Sequence, residues 1–168
     1  MIEIRRIKPD EWTAAKGLVY RVAHEIFHET RPLDEAIADF ESRGELSDMD
    51  DIQTSYFENS GIFLVMTDND EIICTGAILQ YADGICELKR LWLLQEFQGK
   101  GLGYQMIQAL LAFARGAGYR QIRLETHPTY QKRAVQFYTR LGFIEVPNLN
   151  LGDDEDIVME LALKPDGV

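Results

Sequence analysis

Gln98-Gly99-Lys100-Gly101-Leu102-Gly103 is the stretch on which the reading of this chain turns. An apolar, strand-like run from Leu88 to Leu94 precedes it, and an amphipathic helix opens with it. The glycines at 99, 101 and 103 let the backbone turn tightly and approach a ligand, because no Cβ stands in the way. The first turn of a helix also leaves N–H groups without intrahelical partners, at the positive end of the helix dipole. A phosphate group fits that constellation. The plain alternative is a glycine-rich strand-to-helix turn with no ligand. Lys100 is followed by Gly101 rather than Ser or Thr, so this is not the phosphate loop of NTPases, and the glycine spacing differs from the dinucleotide fingerprint.

Outward from this stretch, the periodicities give the element order. Ile2 to Ile7 alternates and reads as a strand, ended by Pro9-Asp10. Asp10 or Thr13 is placed to cap a helix running to about Phe27, with Trp12, Leu18, Val19, Val22 and Ile26 on its apolar side. A second helix fits Leu33 to Glu41, with Ile37 and Phe40 inward, and residues 44–51 read as a polar loop or weak helical turn. Gly61 to Met66 and Ile72 to Gln80 form a hairpin around Thr67-Asp68-Asn69-Asp70. Ala82-Asp83-Gly84 turns into the strand Cys86 to Leu94.

The glycine-led helix runs to about Arg115 on a stripe of Leu102, Met106, Ile107, Leu110, Leu111 and Ala114, with Gly116 and Gly118 as its stop. Gln121 to Thr126 is a strand, and Lys132 to Leu141 a helix ended by Gly142. Phe143 to Val146 and Ile157 to Leu163 are strands joined by an acidic loop. The pattern is α/β (α+β), a mixed sheet of about seven strands with about four helices, and residues 1–168 are expected to form a single domain.

The net charge of −11 is uneven: residues 87–140 hold 9 Lys and Arg against 3 Asp and Glu, while the flanking segments are acidic. The positive segment carries the glycine stretch, which suits a polyanionic ligand. The acidic remainder argues against nucleic acid as a partner. No apolar run approaches the roughly 20 residues that span a bilayer, and Met1 to Arg6 has no signal core, so no membrane partner is expected and the location is expected to be cytoplasmic. Cys74 and Cys86 lie in apolar runs and read as buried, reduced thiols, although a bridge stays open at this stage.

The order strand, Gln-x-x-Gly-x-Gly, helix resembles the acyl-CoA-binding segment of the GNAT superfamily of N-acyltransferases, as does the approach from Glu87 to Phe97. Leu93 stands where that family usually has Val, and Gln95 where it often has Pro. Ala134-Val135-Gln136-Phe137-Tyr138-Thr139-Arg140-Leu141-Gly142-Phe143 resembles the family's Ala-x-x-Phe-Tyr-x-x-x-Gly-Phe segment. The whole element order is similar to a GNAT domain, in which the sheet is mostly antiparallel and two central strands splay around CoA.

The resemblance implies acetyl transfer from acetyl-CoA, as co-substrate, to a primary amine of a small molecule or peptide, by direct attack in a ternary complex. Homodimers are frequent among such proteins. It places the phosphates on Gln98, Gly99, Lys100, Gly101, Leu102, Gly103 and Tyr104. The pantetheine arm falls on the backbone of Leu91, Trp92 and Leu93, with the Leu93 N–H at the oxyanion. Tyr138 falls at the acid position, and a phenol can give a proton to a thiolate. Glu87 falls at the base position, with Glu125 in reserve. Gln131 stands where the family often has a CoA-contacting Asn, with Lys132 and Arg133 in reach of a phosphate. For each side chain the alternative is packing or a solvated face, and for the whole chain it is a CoA-binding module without catalysis.

His24-Glu25-Ile26-Phe27-His28 matches His-Glu-x-x-His, which on a helix puts two histidines on one face for Zn²⁺ and points to a metallohydrolase. Too few residues precede it for the usual backing sheet, and no metal site is expected. The helix end can instead line an acceptor pocket. Asp153-Asp154-Glu155-Asp156 borders the acceptor site by resemblance and otherwise reads as a solvated turn.

Overall fold

The computed structural model describes residues 1–148 and 155–164. Seven strands form one sheet: β1 (Ile2–Arg6), β2 (Ile62–Asp68), β3 (Glu71–Ala82), β4 (Ile85–Leu93), β5 (Gln121–Thr126), β6 (Ile144–Val146) and β7 (Ile157–Ala162). They lie in the order β1-β2-β3-β4-β5-β7-β6. Every neighbouring pair is antiparallel except β4 and β5, which run parallel. The expected mixed, mostly antiparallel sheet is therefore present. Four α-helices accompany it: α1 (Trp12–Ile26), α2 (Leu33–Ser42), α3 (Leu102–Gly116) and α4 (Lys132–Leu141).

Alternate residues of β2 go to opposite faces, as the pleat requires. Leu64 and Met66 pack with Met106, Ile107 and Leu110 of α3. Phe63 and Val65 pack with Val19 of α1 and with Leu46, Met49, Ile52 and Tyr56. Of these, Leu46 and Met49 correct the polar reading of residues 44–51, while the weak helical turn it allowed is present at Ser47–Met49. Short helical turns at Ser47–Met49 and Gln53–Phe57 bury Met49, Ile52 and Tyr56 almost completely. Single turns are too short to show a period, so their burial is set by the sheet they cover.

Neither Asp10 nor Thr13 makes a capping bond to α1. The carboxylate of Glu11 does the local fixing instead, accepting from the Lys8 N–H at 2.9 Å and from the Arg5 guanidinium at 2.6 Å. That pairing ties the start of α1 to β1 and holds the Glu11 carboxyl down to about 2. Cys74 and Cys86 are both free and buried, and burial pushes both thiols up to about 12. No helix is long and apolar enough to cross a membrane among the described residues.

Gly61, at the entrance to β2, has no room for a side chain: a Cβ there falls 2.0 Å from the Ile78 carbonyl oxygen. The obstacle is backbone, so Gly61→Ala is expected to lower stability by about 1–3 kcal/mol through overpacking, read as a shifted urea midpoint with unchanged slope.

Candidate functional site

The parallel pairing of β4 with β5 spans only Ile85↔Gln121, Cys86↔Ile122 and Glu87↔Arg123. Beyond Glu87 the two strands part, and β5 continues on β7 alone. A bulge in β4 accompanies the parting. Its register with β3 passes from Ala77↔Lys89 to Thr75↔Trp92, so Arg90 and Leu91 oppose the single Gly76. Arg90 takes φ +58°, a conformation that costs a non-glycine residue on the order of 1–3 kcal/mol. The Thr75 hydroxyl donates to the Arg90 carbonyl at 2.6 Å, and the Arg90 guanidinium grips Asp48 with bonds of 2.6 and 3.1 Å.

After the bulge, the Leu94 N–H donates to the Ile73 carbonyl at 3.0 Å on β3. Successive N–H groups of a strand point to opposite sides in the sheet plane. The Leu93 N–H is therefore turned away from β3, toward the side that β5 has left. A cleft of about 560 Å³ occupies that space. Leu91, Trp92, Leu93, Gln98, Gly99, Gly101, Leu102, Gly103, Tyr104, Gln131 and Tyr138 all line it. Of the residues assigned to the phosphates, Lys100 stands apart: its ammonium lies over the Phe97 ring, 5.4 Å from the centroid, outside the lining.

Gly99 and Gly101 have φ of +80° and +79°, which glycine adopts without strain. A Cβ at 99, 101 or 103 would meet nothing within 4 Å, so the space over this turn is open. Gly101 is the N-cap of α3, and no side chain caps the helix. The first-turn N–H groups are thus left to the cleft, and a phosphate fits there on geometry as well as on dipole. Arg133 reaches across from α4 and donates to Gln98 Oε1 at 3.1 Å, while Lys132 and Arg140 line the same wall.

A second cavity of about 390 Å³ adjoins the first and shares Leu91, Trp92, Gln131 and Tyr138 with it. Tyr138 thus stands on a common wall. It is 8% exposed, and its hydroxyl makes no hydrogen bond among the described residues. Burial pushes its phenol well above the ordinary value, so it stays protonated at neutral pH.

Glu87 and Glu125 line the second cavity and share Arg123. The Arg123 guanidinium also lies over the Tyr81 ring at 4.1 Å, which fixes it in place. Burial raises the Glu87 carboxyl above the usual carboxylate range, with Arg123 acting against the shift. Thr126 is buried in the same wall, and its hydroxyl has no partner among the described residues. Sequence reasoning passed over Arg123 and Thr126, although alternation along β5 puts Gln121, Arg123 and Glu125 on one face.

Gln131 lines both cavities, but its Oε1 already accepts from the His127 N–H at 2.8 Å and fixes the turn before α4. Its NH₂ stays free for a ligand. Helix α1 ends at Ile26 and His28 has φ +52°, so His24 and His28 do not share a helical face. His24 Nε2 bonds the Arg31 carbonyl at 2.7 Å, while His28 lines the first cavity with Glu25 and Ile26. The end of this helix therefore faces the first cavity, where the milder reading had it lining an acceptor pocket. No group of three His, Cys, Asp or Glu is placed to hold a metal ion among the described residues. Asp153 and Asp154 lie outside the described residues. Glu155 bonds His127 Nε2 at 2.9 Å, and Asp156 lines the second cavity.

A family model for the acetyltransferase (GNAT) family matches residues 23–143. N-acetyltransferase 8F1 of Rattus norvegicus is 31% identical over 102 residues, covering 58% of this chain and 46% of that protein. The chain spans about half the length of the curated relatives it matches. Among solved structures, a GNAT-family acetyltransferase from Staphylococcus aureus Mu50 superposes with a TM-score of 0.81 at 16% identity, over 98% of this chain and 100% of that one. The PaiA N-acetyltransferase of Thermoplasma acidophilum, in complex with coenzyme A, gives 0.77 at 19% identity, over 96% and 99%. At these identities the likeness is one of fold.

Glu87 is expected to titrate above the ordinary glutamate value, and Arg123→Gln, by removing the opposing charge, to move it higher still. Carboxyl carbon NMR across pH reads both. A lower value in the variant would mean that Arg123 does not hold the charged form.

Proposed function

The chain belongs to the GNAT acetyltransferase family, and on that premise we propose that its 168 residues form a single domain that moves an acetyl group from acetyl-CoA to a primary amine. The observation that carries this reading is that the two cavities lie side by side, with Leu91, Trp92, Gln131 and Tyr138 in the lining of both. The first cavity offers bare helix amides and cations to an anionic coenzyme. The second offers Glu87 and Glu125 to a cationic acceptor. A transfer reaction needs coenzyme and acceptor to meet, and the shared lining supports that meeting place.

In this proposal the amides from Gly99 to Tyr104 hold the pyrophosphate, with Arg133 and Lys132 beside them. The backbone of Leu91, Trp92 and Leu93 pairs with the extended arm as an added strand would. Glu87, its affinity for protons raised by burial, takes a proton from the acceptor ammonium. The free amine attacks the thioester carbonyl, and the Leu93 N–H donates to the oxygen as its charge grows. Tyr138 then gives its proton to the departing thiolate, so the leaving group departs as a neutral thiol; the proton that the attacking nitrogen sheds on becoming an amide passes through solvent to the phenolate, and Glu87 releases its proton to water. Glu125 is the alternative base, one Arg123 contact away. A cytoplasmic setting, in which the two buried thiols stay reduced, belongs to the same proposal, and so, by resemblance, does a homodimer.

Release of free thiol from acetyl-CoA with a panel of amines tests the reading, and release with no amine in the panel contradicts it. Tyr138→Phe is expected to lower turnover by about 10²–10⁴-fold with the melting temperature retained. Unchanged turnover across pH would leave Tyr138 a packing residue.

A further inference from the structure

Among the described residues, five non-glycine residues have positive φ. His28, Ser60, Asn69 and Asp70 lie in turns, and Arg90 alone lies inside a strand. Nothing in its own chemistry favours that conformation, since it has a Cβ and no short polar side chain. The surroundings must impose it. The Thr75 hydroxyl holds its carbonyl, and Asp48, 42 residues earlier, holds its guanidinium through two bonds. The Tyr56 hydroxyl donates to the same Asp48 carboxylate, and the Arg90 Nη2 also reaches the Glu45 carbonyl at 3.4 Å. Asp48 and Tyr56 are themselves anchored, because Met49, Ile52 and Tyr56 are fully buried in the second core.

We propose that Asp48, steadied by Tyr56, is a positioning residue: its grip on Arg90 holds the β4 bulge in the left-handed conformation and so aims the Leu91 and Leu93 amides into the cleft. This rests on the acetyl-transfer reading above. The direction of a strand's amides reverses with each residue, so a bulge that relaxed by one residue would turn the Leu93 N–H toward β3 and away from the reacting carbonyl. The clamp acts on the bulge alone. The phosphate turn at Gly99–Gly103 is fixed separately by α3.

Asp48→Asn leaves an acceptor for Tyr56 but removes the counter-charge of Arg90. It is expected to lower kcat by about 10–100-fold and to raise KM for acetyl-CoA by less than that, because the arm loses part of its pairing while the turn that holds the phosphates is untouched. The backbone amide resonances of Leu91, Trp92 and Leu93 should move. In Asp48→Asn/Arg90→Gly the glycine adopts positive φ unaided, so kcat should return to within about threefold of the unsubstituted protein, and the resonances should return with it. Unchanged kcat and resonances in the single variant overturn the proposal, and so does a double variant as slow as the single one. Where Asp48→Asn does not fold, Tyr56→Phe, with the same Arg90→Gly partner, takes its place. If the unsubstituted protein acetylates no amine, the transferase reading fails, and the resonances still decide the clamp.

Discussion

The backbone of β4 belongs to two different partnerships along its length. Through Ile85, Cys86 and Glu87 it is bonded on both sides, to β3 and to β5. From Lys89 onward only the β3 side continues. A strand whose second neighbour has left retains donors and acceptors that need another partner, whether water or a ligand. The bulge at Arg90 puts that exposed edge on the wall of a cavity instead of at the rim of the sheet. Everything proposed for the site follows from this: where an extended arm pairs, which amide faces the reacting carbonyl, and why Tyr138 on α4 is within reach of both chambers.

The glycine turn and the bulge do complementary work at the two ends of the same segment. At 99 and 101 the chain uses glycine, so the positive φ needs no external support and the amides stay uncovered. At 90 it uses arginine, and the conformation depends on Thr75, Asp48 and Tyr56. The first solution is local and was readable in the sequence. The second is built from residues far apart in the chain.

That difference marks how far the sequence could be read. The bounds of β5 and α4 follow from their flanking glycines and alternation, and both expected ranges coincide with the structure. The glycine stretch announced the helix start, and the stripe from Leu102 to Ala114 named the buried face of α3. The burial of Leu46 and Met49 was missed because it comes from the face of β2 and not from a period of their own. The bulge was invisible because Arg90 carries no turn signal. Arg123 was missed because its importance lies in register, opposite Glu87 across a parallel pair that no local pattern specifies. The His24-Glu25-x-x-His28 match failed for a geometric reason: the helix stops between its two histidines.

The central claim is that unpaired main-chain amides at two places, the α3 N-terminus and the edge of β4, receive one anionic, extended ligand. Titration of the ¹⁵N-labelled protein with coenzyme A tests it most directly. The account predicts that the largest amide shifts fall on Gly99 to Tyr104 and on Leu91 and Leu93, and that both sets saturate together. Shifts confined to other parts of the chain, or none at saturating coenzyme, would contradict it.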